Sequence, residues 1–240
     1  MDLSEYQAIR SYEDSHWWYV ATHRAVMREH GKLRNNAFVL DAGCGTGGML
    51  EILRGSFDVA GFDSSFLAVQ SASRRDGCSK SVATGNIHSI FFRDNCFDAV
   101  TCIDVIYHAG VKDERIALRE IHRVLKPGGC LVLQVPAFEC LRGGHDEAVH
   151  TRKRYRAEEV RLLLEQAGFR VSKLLYRFPW LFLPALVIRK LSRGSGKSDL
   201  RPVSPALNSL LAFLAWLSDS SVAPELPFGT SLFAVAVKKP

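Results

Sequence analysis

The stretch from Val39 to Gly48 constrains this chain more than any other. An apolar run, Ala37 to Leu40, ends in Asp41. Gly43, Gly45, Gly47 and Gly48 then fall within six residues, and a helical pattern opens at Met49. That order predicts a buried strand, a tight turn and a helix start. Glycines in such a turn supply positive φ and let a ligand approach the backbone without meeting a Cβ. A nucleoside-bearing small molecule is the ligand such a turn takes.

The rest of the chain alternates in the same way. Strands are predicted at Phe38–Asp41, Val59–Asp63, Ser81–Thr84, Phe97–Ile103 and Cys130–Val135, with helices at Met49–Arg54, Phe66–Arg74 and Lys112–Val124 between them. Strand and helix in alternation make a mostly parallel sheet covered on both faces, an α/β architecture. Lys126-Pro127-Gly128-Gly129 stops the last of these helices and turns into the fifth strand. A polar loop, Ala137 to Tyr155, a helix at Ala157–Ala167 and a strand at Phe169–Tyr176 follow, and the chain closes on a strand at Ser231–Val237. Leu3 to Gly31 is polar and helical, with an aromatic cluster at Trp17, Trp18 and Tyr19. About 50 residues between the last two strands are too many for a hairpin. They hold the apolar run Phe178–Ile188, a basic Gly/Ser-rich link from Arg189 to Lys197, and an apolar helix at Pro205–Leu217. Pro179 and Pro184 argue against one straight helix in the first of these. At 240 residues the chain makes one large domain. We divide it into a helical lid (1–35), a core (36–176 and 229–240) and a helical insertion (177–228).

Composition excludes little. Hydrophobic residues are 47% and charged residues 23%, ordinary for a globular protein, and the net charge of +6 tolerates an anionic partner without requiring one. The six cysteines match no zinc spacing and no secretory signal opens the chain, so reduced thiols in the cytoplasm are expected. No apolar run reaches the roughly 18 residues of a spanning helix.

The glycines fit two patterns at once: G-x-G-x-x-G through Gly43, Gly45 and Gly48, the dinucleotide spacing, and G-x-G-x-G through Gly43, Gly45 and Gly47. Asp63, ending the second strand, can accept both hydroxyls of a ribose, which either ligand class needs. The second pattern, with Asp41 two residues ahead, resembles the first motif of the class I S-adenosylmethionine-dependent methyltransferases. Gly85-Asn86-Ile87-His88 after the third strand, Val100 to His108, and Leu125 to Gly129 resemble that family's later motifs in order and spacing, over residues 37 to 136. The resemblance implies a Rossmann-like, doubly wound seven-stranded sheet whose last strand is antiparallel, with S-adenosylmethionine as cofactor and S-adenosylhomocysteine as product. It implies cofactor contacts from Asp41, Gly43, Cys44, Gly45, Gly47, Asp63, Ser64, Asn86, Ile87 and Ile103. Asn86 stands where the family has an acid, and its amide oxygen can accept a hydrogen bond from the adenine amine. The competing dinucleotide reading, an NAD(P)- or flavin-dependent oxidoreductase, lacks support: Tyr155 is followed four residues on by Glu159, not by the lysine of a short-chain dehydrogenase. A non-catalytic cofactor-binding scaffold is the third reading.

Outside the core, Glu13 to Tyr19 with Arg24, His145 to Tyr155, and Leu226 to Gly229 resemble a bacterial methyltransferase subgroup that carries His-Trp-Trp, His-Asp…His-x-Arg-Arg-Tyr and Leu-Pro-Phe-Gly. Lys153 stands where the subgroup has Arg. By that resemblance the aromatics form a lid, with Arg24 near the cofactor carboxylate; ordinary helix packing explains the same aromatics.

Methyl transfer is an in-line displacement in which protein groups align and desolvate the reactants. An alcohol acceptor must also lose a proton, which calls for a base near neutral pKa. Transfer to an oxygen, and less readily to a nitrogen, of a small-molecule, glycan or lipid-linked acceptor is expected. His145, beside Asp146, is the first base candidate and His150 the second, with Tyr155 placed to hydrogen-bond the acceptor; the alternative is a pinned loop without chemistry. Arg142, Arg152, Lys153, Arg154 and Arg156 suit an anionic acceptor or merely solubility. His145, Asp146 and His150 match no recognised metal motif, and no metal is expected. His108, after the fourth strand, is expected to pack against the cofactor. Nothing offers a basic, aromatic-studded groove for nucleic acid. The run at 178–193 suits an interfacial membrane contact or an apolar acceptor pocket, or a helical pair packed on the sheet or across a dimer. The chain is expected to be a monomer or homodimer.

Overall fold

The computed structural model describes residues 3–191, 203–219 and 226–239. Two helices, α1 (Leu3–Tyr12) and α2 (Trp17–His30), precede the first strand. His16 caps α2, its Nδ1 accepting the Trp18 N–H at 3.3 Å. Then come β1 (Phe38–Ala42), α3 (Gly48–Arg54), β2 (Asp58–Asp63), α4 (Phe66–Ala72), β3 (Val82–Thr84) and β4 (Phe97–Ile103). After these come α5 (Glu114–Val124), β5 (Leu125–Pro136), α6 (Gly144–Ala148), α7 (Ala157–Gln166) and β6 (Phe169–Arg177). A single 3₁₀ turn, Pro179–Leu181, runs into α8 (Phe182–Leu191), and α9 (Pro205–Ser218) and β7 (Ser231–Lys238) complete the described order.

The seven strands form one sheet in the order β3-β2-β1-β4-β5-β7-β6. β1 to β5 pair in parallel, and β7 enters antiparallel between β5 and β6. This is the class I methyltransferase fold, with the antiparallel last strand that the motif order implies. All seven predicted strands are present. β5 starts five residues earlier than expected because Leu125 already pairs with Phe97, and an irregularity absorbs the Pro127–Gly129 turn.

Alternation along the strands splits the core in two. Leu40, Val100, Leu131 and Leu133 pack on one face with Leu118 and Ile121 of α5 and Leu164 of α7. Val39, Ala99 and Val132 point the other way, against Val26 of α2 and Met49 and Leu53 of α3. α5 buries Ala117, Leu118, Ile121 and Val124, the stripe an amphipathic helix needs, and Asp113 caps it. A third cluster joins the chain's two helical additions: Trp17 and Ala21 of α2 meet Phe178 and, on α9, Ala215. The predicted polar loop 137–155 is more ordered than a loop reading implies. It holds a 3₁₀ turn at Glu139–Leu141 and the short α6, whose start is fixed by the Gly143 N–H donating to Asp146 Oδ2 at 2.8 Å. The basic link from Arg189 to Lys197 lies mostly outside the described residues.

Candidate functional site

The carboxyl ends of β1, β2 and β4 open onto a cavity of about 610 Å³. α1 and α2 line it on one side, α6 and α8 on the other. The glycine turn forms its floor. The Gly43 and Cys44 N–H groups donate to the Phe62 carbonyl at 2.8 and 2.9 Å, tying the turn to the end of β2. Gly43, Gly45 and Gly47 have φ of +85°, +52° and +89°. A Cβ at Gly43 would run into Val105 and one at Gly47 into Ala72, whereas the same position at Gly45 meets nothing within 4 Å. Two glycines therefore permit close packing, and Gly45 leaves room for a ligand.

Asp63 stands beside that room. Its Oδ2 accepts the Gly45 N–H at 3.0 Å and its Oδ1 the Ser65 N–H at 2.9 Å. Each oxygen keeps a lone pair, enough to receive a vicinal diol. Burial raises the Asp63 pKa against the pull of the Ser65, Gly45 and Ser64 amides. Asp41 is 3% exposed on the cavity wall, and its Oδ2 has no hydrogen-bond partner. Burial, with Asp63 and Glu13 close by, pushes Asp41 up to about 7.

Glu13, between α1 and α2, closes the start of α3. Its buried carboxylate accepts from Thr46 Oγ1 at 2.7 Å, from the Gly48 N–H at 3.1 Å and from Arg75 Nη2 at 2.5 Å. Arg75 in turn donates to the Thr46 carbonyl at 2.9 Å and pairs with Glu51 and Asp14. A dinucleotide lays its pyrophosphate on the helix N-terminus after the glycine turn. Here a protein carboxylate already occupies that position, and a diphosphate would meet its charge.

Asp104, the residue after β4, has φ of +56° and lines the cavity, half-buried. Its Oδ2 accepts from Gln134 Nε2 at 3.0 Å. Burial lifts its pKa to about 6 against the Gln134 hydrogen bond and the charges of Arg177 and Arg154. Behind it, Gln134 Oε1 accepts from Arg177 Nη1 at 2.8 Å. Arg177 is 2% exposed. It also donates to Asp219 Oδ1 and Oδ2 at 3.0 and 2.5 Å, to Thr22 Oγ1 at 3.3 Å and to the Ala21 carbonyl at 3.1 Å. The Phe178 and Phe233 rings lie 4.4 and 5.6 Å from its guanidinium carbon. This network ties the cavity carboxyl to α2 and to the end of α9. The positive φ of Asp104 and the remote partners Gln134 and Arg177 carry no signal in the sequence, which is why its reading missed all three; so too Glu13, known only by resemblance.

Residues 40–133 match the family model described as methyltransferase domain. Over those residues the chain resembles a methyltransferase domain. It is similar to a probable tRNA methyltransferase 9B of Mus musculus, 40% identical over 104 residues that cover 43% of this chain and 22% of that protein. It is also similar to the O-methyltransferase resE of Aspergillus sclerotiorum, 31% identical over 170 residues, 63% of this chain and 62% of the relative. The chain thus spans about a fifth of the first relative and under two thirds of the second. Among solved structures, a chain of the complex between the Haloferax volcanii Trm112 methyltransferase activator and a methyltransferase superposes with a TM-score of 0.66. That match is 24% identical and covers 98% of this chain and 95% of that one.

Asp41, Gly43, Cys44, Gly45, Asp63, Ser64, Asn86, Ile87 and Ile103, the cofactor contacts expected from the motifs, all line the cavity. Gly47 stands just behind it as the cap of α3. Asn86 differs in detail: its Oδ1 already accepts the His88 N–H at 2.9 Å and lies 3.0 Å from His88 Nδ1, so its NH₂ is the group left to face a ligand. Arg24 does not reach the cavity; α2 turns it outward, where it is exposed beside Asp14, Val20 and Met27.

The loop candidates separate as well. His145 lines the cavity from α6. His150 does not: it is exposed, has φ of +54° and stacks on His108 at 5.9 Å. Tyr155 is fully buried in the core, its hydroxyl 3.4 Å from the Ile106 carbonyl and its pKa raised by burial, so it cannot hydrogen-bond an acceptor in the cavity. Asp146 is bound twice by Arg154, at 2.8 and 3.1 Å, a buried pair that pins the loop. The other loop cations are engaged too, Arg142 with Glu139, Arg152 with Glu114 and Lys153 with Glu159, while Arg156 lies over the Phe138 ring. His108 Nδ1 accepts the Gly110 N–H at 3.0 Å, and burial lowers its pKa to about 4. The neutral ring then carries its proton on Nε2 and presents a donor, not a base, to the cavity.

Proposed function

We propose that the cavity binds S-adenosylmethionine and that the protein transfers its methyl group to an oxygen of an acceptor with a substantial apolar part. The observation that carries the cofactor reading is the pairing of Asp63 with Glu13. Asp63 offers both carboxylate oxygens to a ribose, while Glu13 fills the seat a pyrophosphate would need. Charge supports the same reading: Asp41, Asp63 and Asp104 gather acidic groups around the cavity, which favours a sulfonium cation over a dianionic dinucleotide. The unpartnered Oδ2 of Asp41 and the open side of Gly45 are the polar and steric features a bound nucleoside would satisfy. Alanine at Asp63 removes two charge-assisted hydrogen bonds. Its expected effect in calorimetric titration is a loss of at least about thirtyfold in affinity for S-adenosylhomocysteine; unchanged affinity would remove Asp63 from the ribose site.

When bound, the cofactor supplies a methyl group activated on a sulfonium sulfur. The residues of this chain align the acceptor and take its proton. Transfer to an acceptor hydroxyl would release its proton, and Asp104 would take it. Asp104 suits the role because it follows β4 beside the glycine turn, has a pKa near working pH, and is held in place by Gln134. His145, on α6, is a further group lining the cavity that could accept a proton. The His145→Ala variant is expected to keep turnover within about tenfold of wild type, since a loss of the larger size typical for a base would transfer that role to it. Leu181, Ala185 and Ile188 line the acceptor side and favour an apolar acceptor body. The relative named as an O-methyltransferase supports transfer to oxygen. Incubation with methyl-labelled cofactor and a panel of alcohols, phenols and amines, read as labelled product, tests the acceptor class; label on amines alone would overturn the oxygen assignment.

A further inference from the structure

α9 has no charged side chain in its 14 residues. One side of it is spoken for: Ala215 is buried against Trp17 and Phe178, and Asn208 Oδ1 accepts the Trp17 N–H at 2.8 Å. The opposite side is left to solvent, with Leu207, Leu210, Phe213 and Leu217 each 46–55% exposed. α8 repeats the pattern. Leu183 and Ile188 are 64% and 60% exposed, while Ile188, Ala185 and Arg189 also line the cavity. Isolated exposed apolar residues are ordinary; a run of them on two consecutive helices, one of which lines the cavity, is not.

We infer that the outer faces of α8 and α9 seat this protein on an anionic lipid bilayer, with the cavity's acceptor side opening beside the membrane surface. Two observations choose the bilayer over a second copy of the chain. Residues 190–202, from the last turn of α8 toward α9, hold Lys190, Arg193, Lys197 and Arg201 against the single acid Asp199. Apolar helices flanked by such a cationic link match an anionic leaflet, each cation near the surface adding attraction. A second copy of the chain would carry the same positive charge in this stretch, so a pairing of like copies lacks that complementarity. Continuity with the cavity is the second: Ile188 belongs to both, so an acceptor with a lipid tail could pass from the leaflet to Asp104 without crossing water. Among the described residues no helix is long and apolar enough to cross a membrane. At about 1.5 Å per residue α9 spans about 21 Å against a hydrocarbon core of about 30 Å, so it lies on the surface.

The test is co-sedimentation of the full chain with vesicles of phosphatidylcholine alone and of phosphatidylcholine mixed with phosphatidylglycerol. Binding to the mixed vesicles, weakened by salt, is expected. The double variant Phe213→Ser, Leu217→Ser should lose at least about tenfold in vesicle binding while keeping its unfolding midpoint and its affinity for S-adenosylhomocysteine. Absence of binding to either vesicle overturns the inference. So does a wild-type dimer in light scattering that the double variant converts to a monomer, which would make the face a subunit contact. Homocysteine-product affinity is read separately, so failure of the cofactor reading leaves the vesicle result interpretable.

Discussion

The Asp104→Asn substitution lowers turnover by about two to four orders of magnitude, the range of a lost general base, and at neutral pH raises the unfolding midpoint. The two signs together separate a base from a structural carboxylate. The substituted amide would keep the Gln134 hydrogen bond, because its oxygen can accept from the same NH₂, but it cannot take a proton from an acceptor. The stability effect follows from linkage. The folded pKa of about 6 stands above the ordinary carboxylate value, so the folded state holds this proton more tightly than the unfolded chain. The resulting stabilisation is complete below about pH 4 and lost as pH rises through about 6. At pH 7 the ionised carboxylate costs roughly 3 kcal/mol, about two pKa units of 1.36 kcal/mol each. The neutral amide removes that cost. Wild-type turnover should fall with acid below about pH 6, following protonation of Asp104. Loss of turnover with an unchanged or lowered midpoint would mean that the carboxylate holds the site together. Retained turnover would place the base elsewhere.

Removal of the Arg177 side chain by alanine destabilises the fold by about 3–5 kcal/mol, the typical cost of leaving one member of a buried ion pair without the other. For a domain of this size that lowers the unfolding midpoint by roughly 6–20 °C. The guanidinium joins four elements: Gln134 on β5, Thr22 and Ala21 on α2, and Asp219 after α9, with its own strand β6. Alanine strands the Asp219 carboxylate and one acceptor of Gln134, and leaves a void between Phe178 and Phe233. Lysine at this position keeps the charge but has no fork to span these partners, so it should recover only part of the midpoint. Full stability in Arg177→Lys, read by thermal or denaturant unfolding, would reduce the network to a single ion pair.

The fold was legible because its strongest signals are local. The apolar run before Asp41, the glycine turn and the stripe Ala117, Leu118, Ile121 and Val124 each specify an element within a few residues. The strand-end wall of the cavity was legible for the same reason: Asp41, Gly45, Asp63 and Ile87 lie at strand ends, and a doubly wound sheet gathers strand ends in one place. The loop side was not. His145, His150 and Tyr155 looked alike as polar residues of one basic loop, yet one lines the cavity, one faces solvent and one is core, because α6 and the buried Asp146–Arg154 pair set where each points. Arg24 was misplaced for a related reason. Its neighbour His23 is buried, and a rotation of one residue along α2 carries position 24 to the outer face. Glu13, Asp104 and Arg177 act through partners 30 to more than 150 positions away, distances that no spacing rule spans.

On the proposed reading the cavity takes S-adenosylmethionine and not a dinucleotide. Calorimetric titration of the purified protein with S-adenosylhomocysteine, with NADH and NADPH titrated in parallel, decides between the two. Binding of the homocysteine product in the micromolar range, with no heat from either dinucleotide, is the predicted result. Binding of a dinucleotide without the homocysteine product would contradict the account, for it would require a pyrophosphate where Glu13 now closes the start of α3.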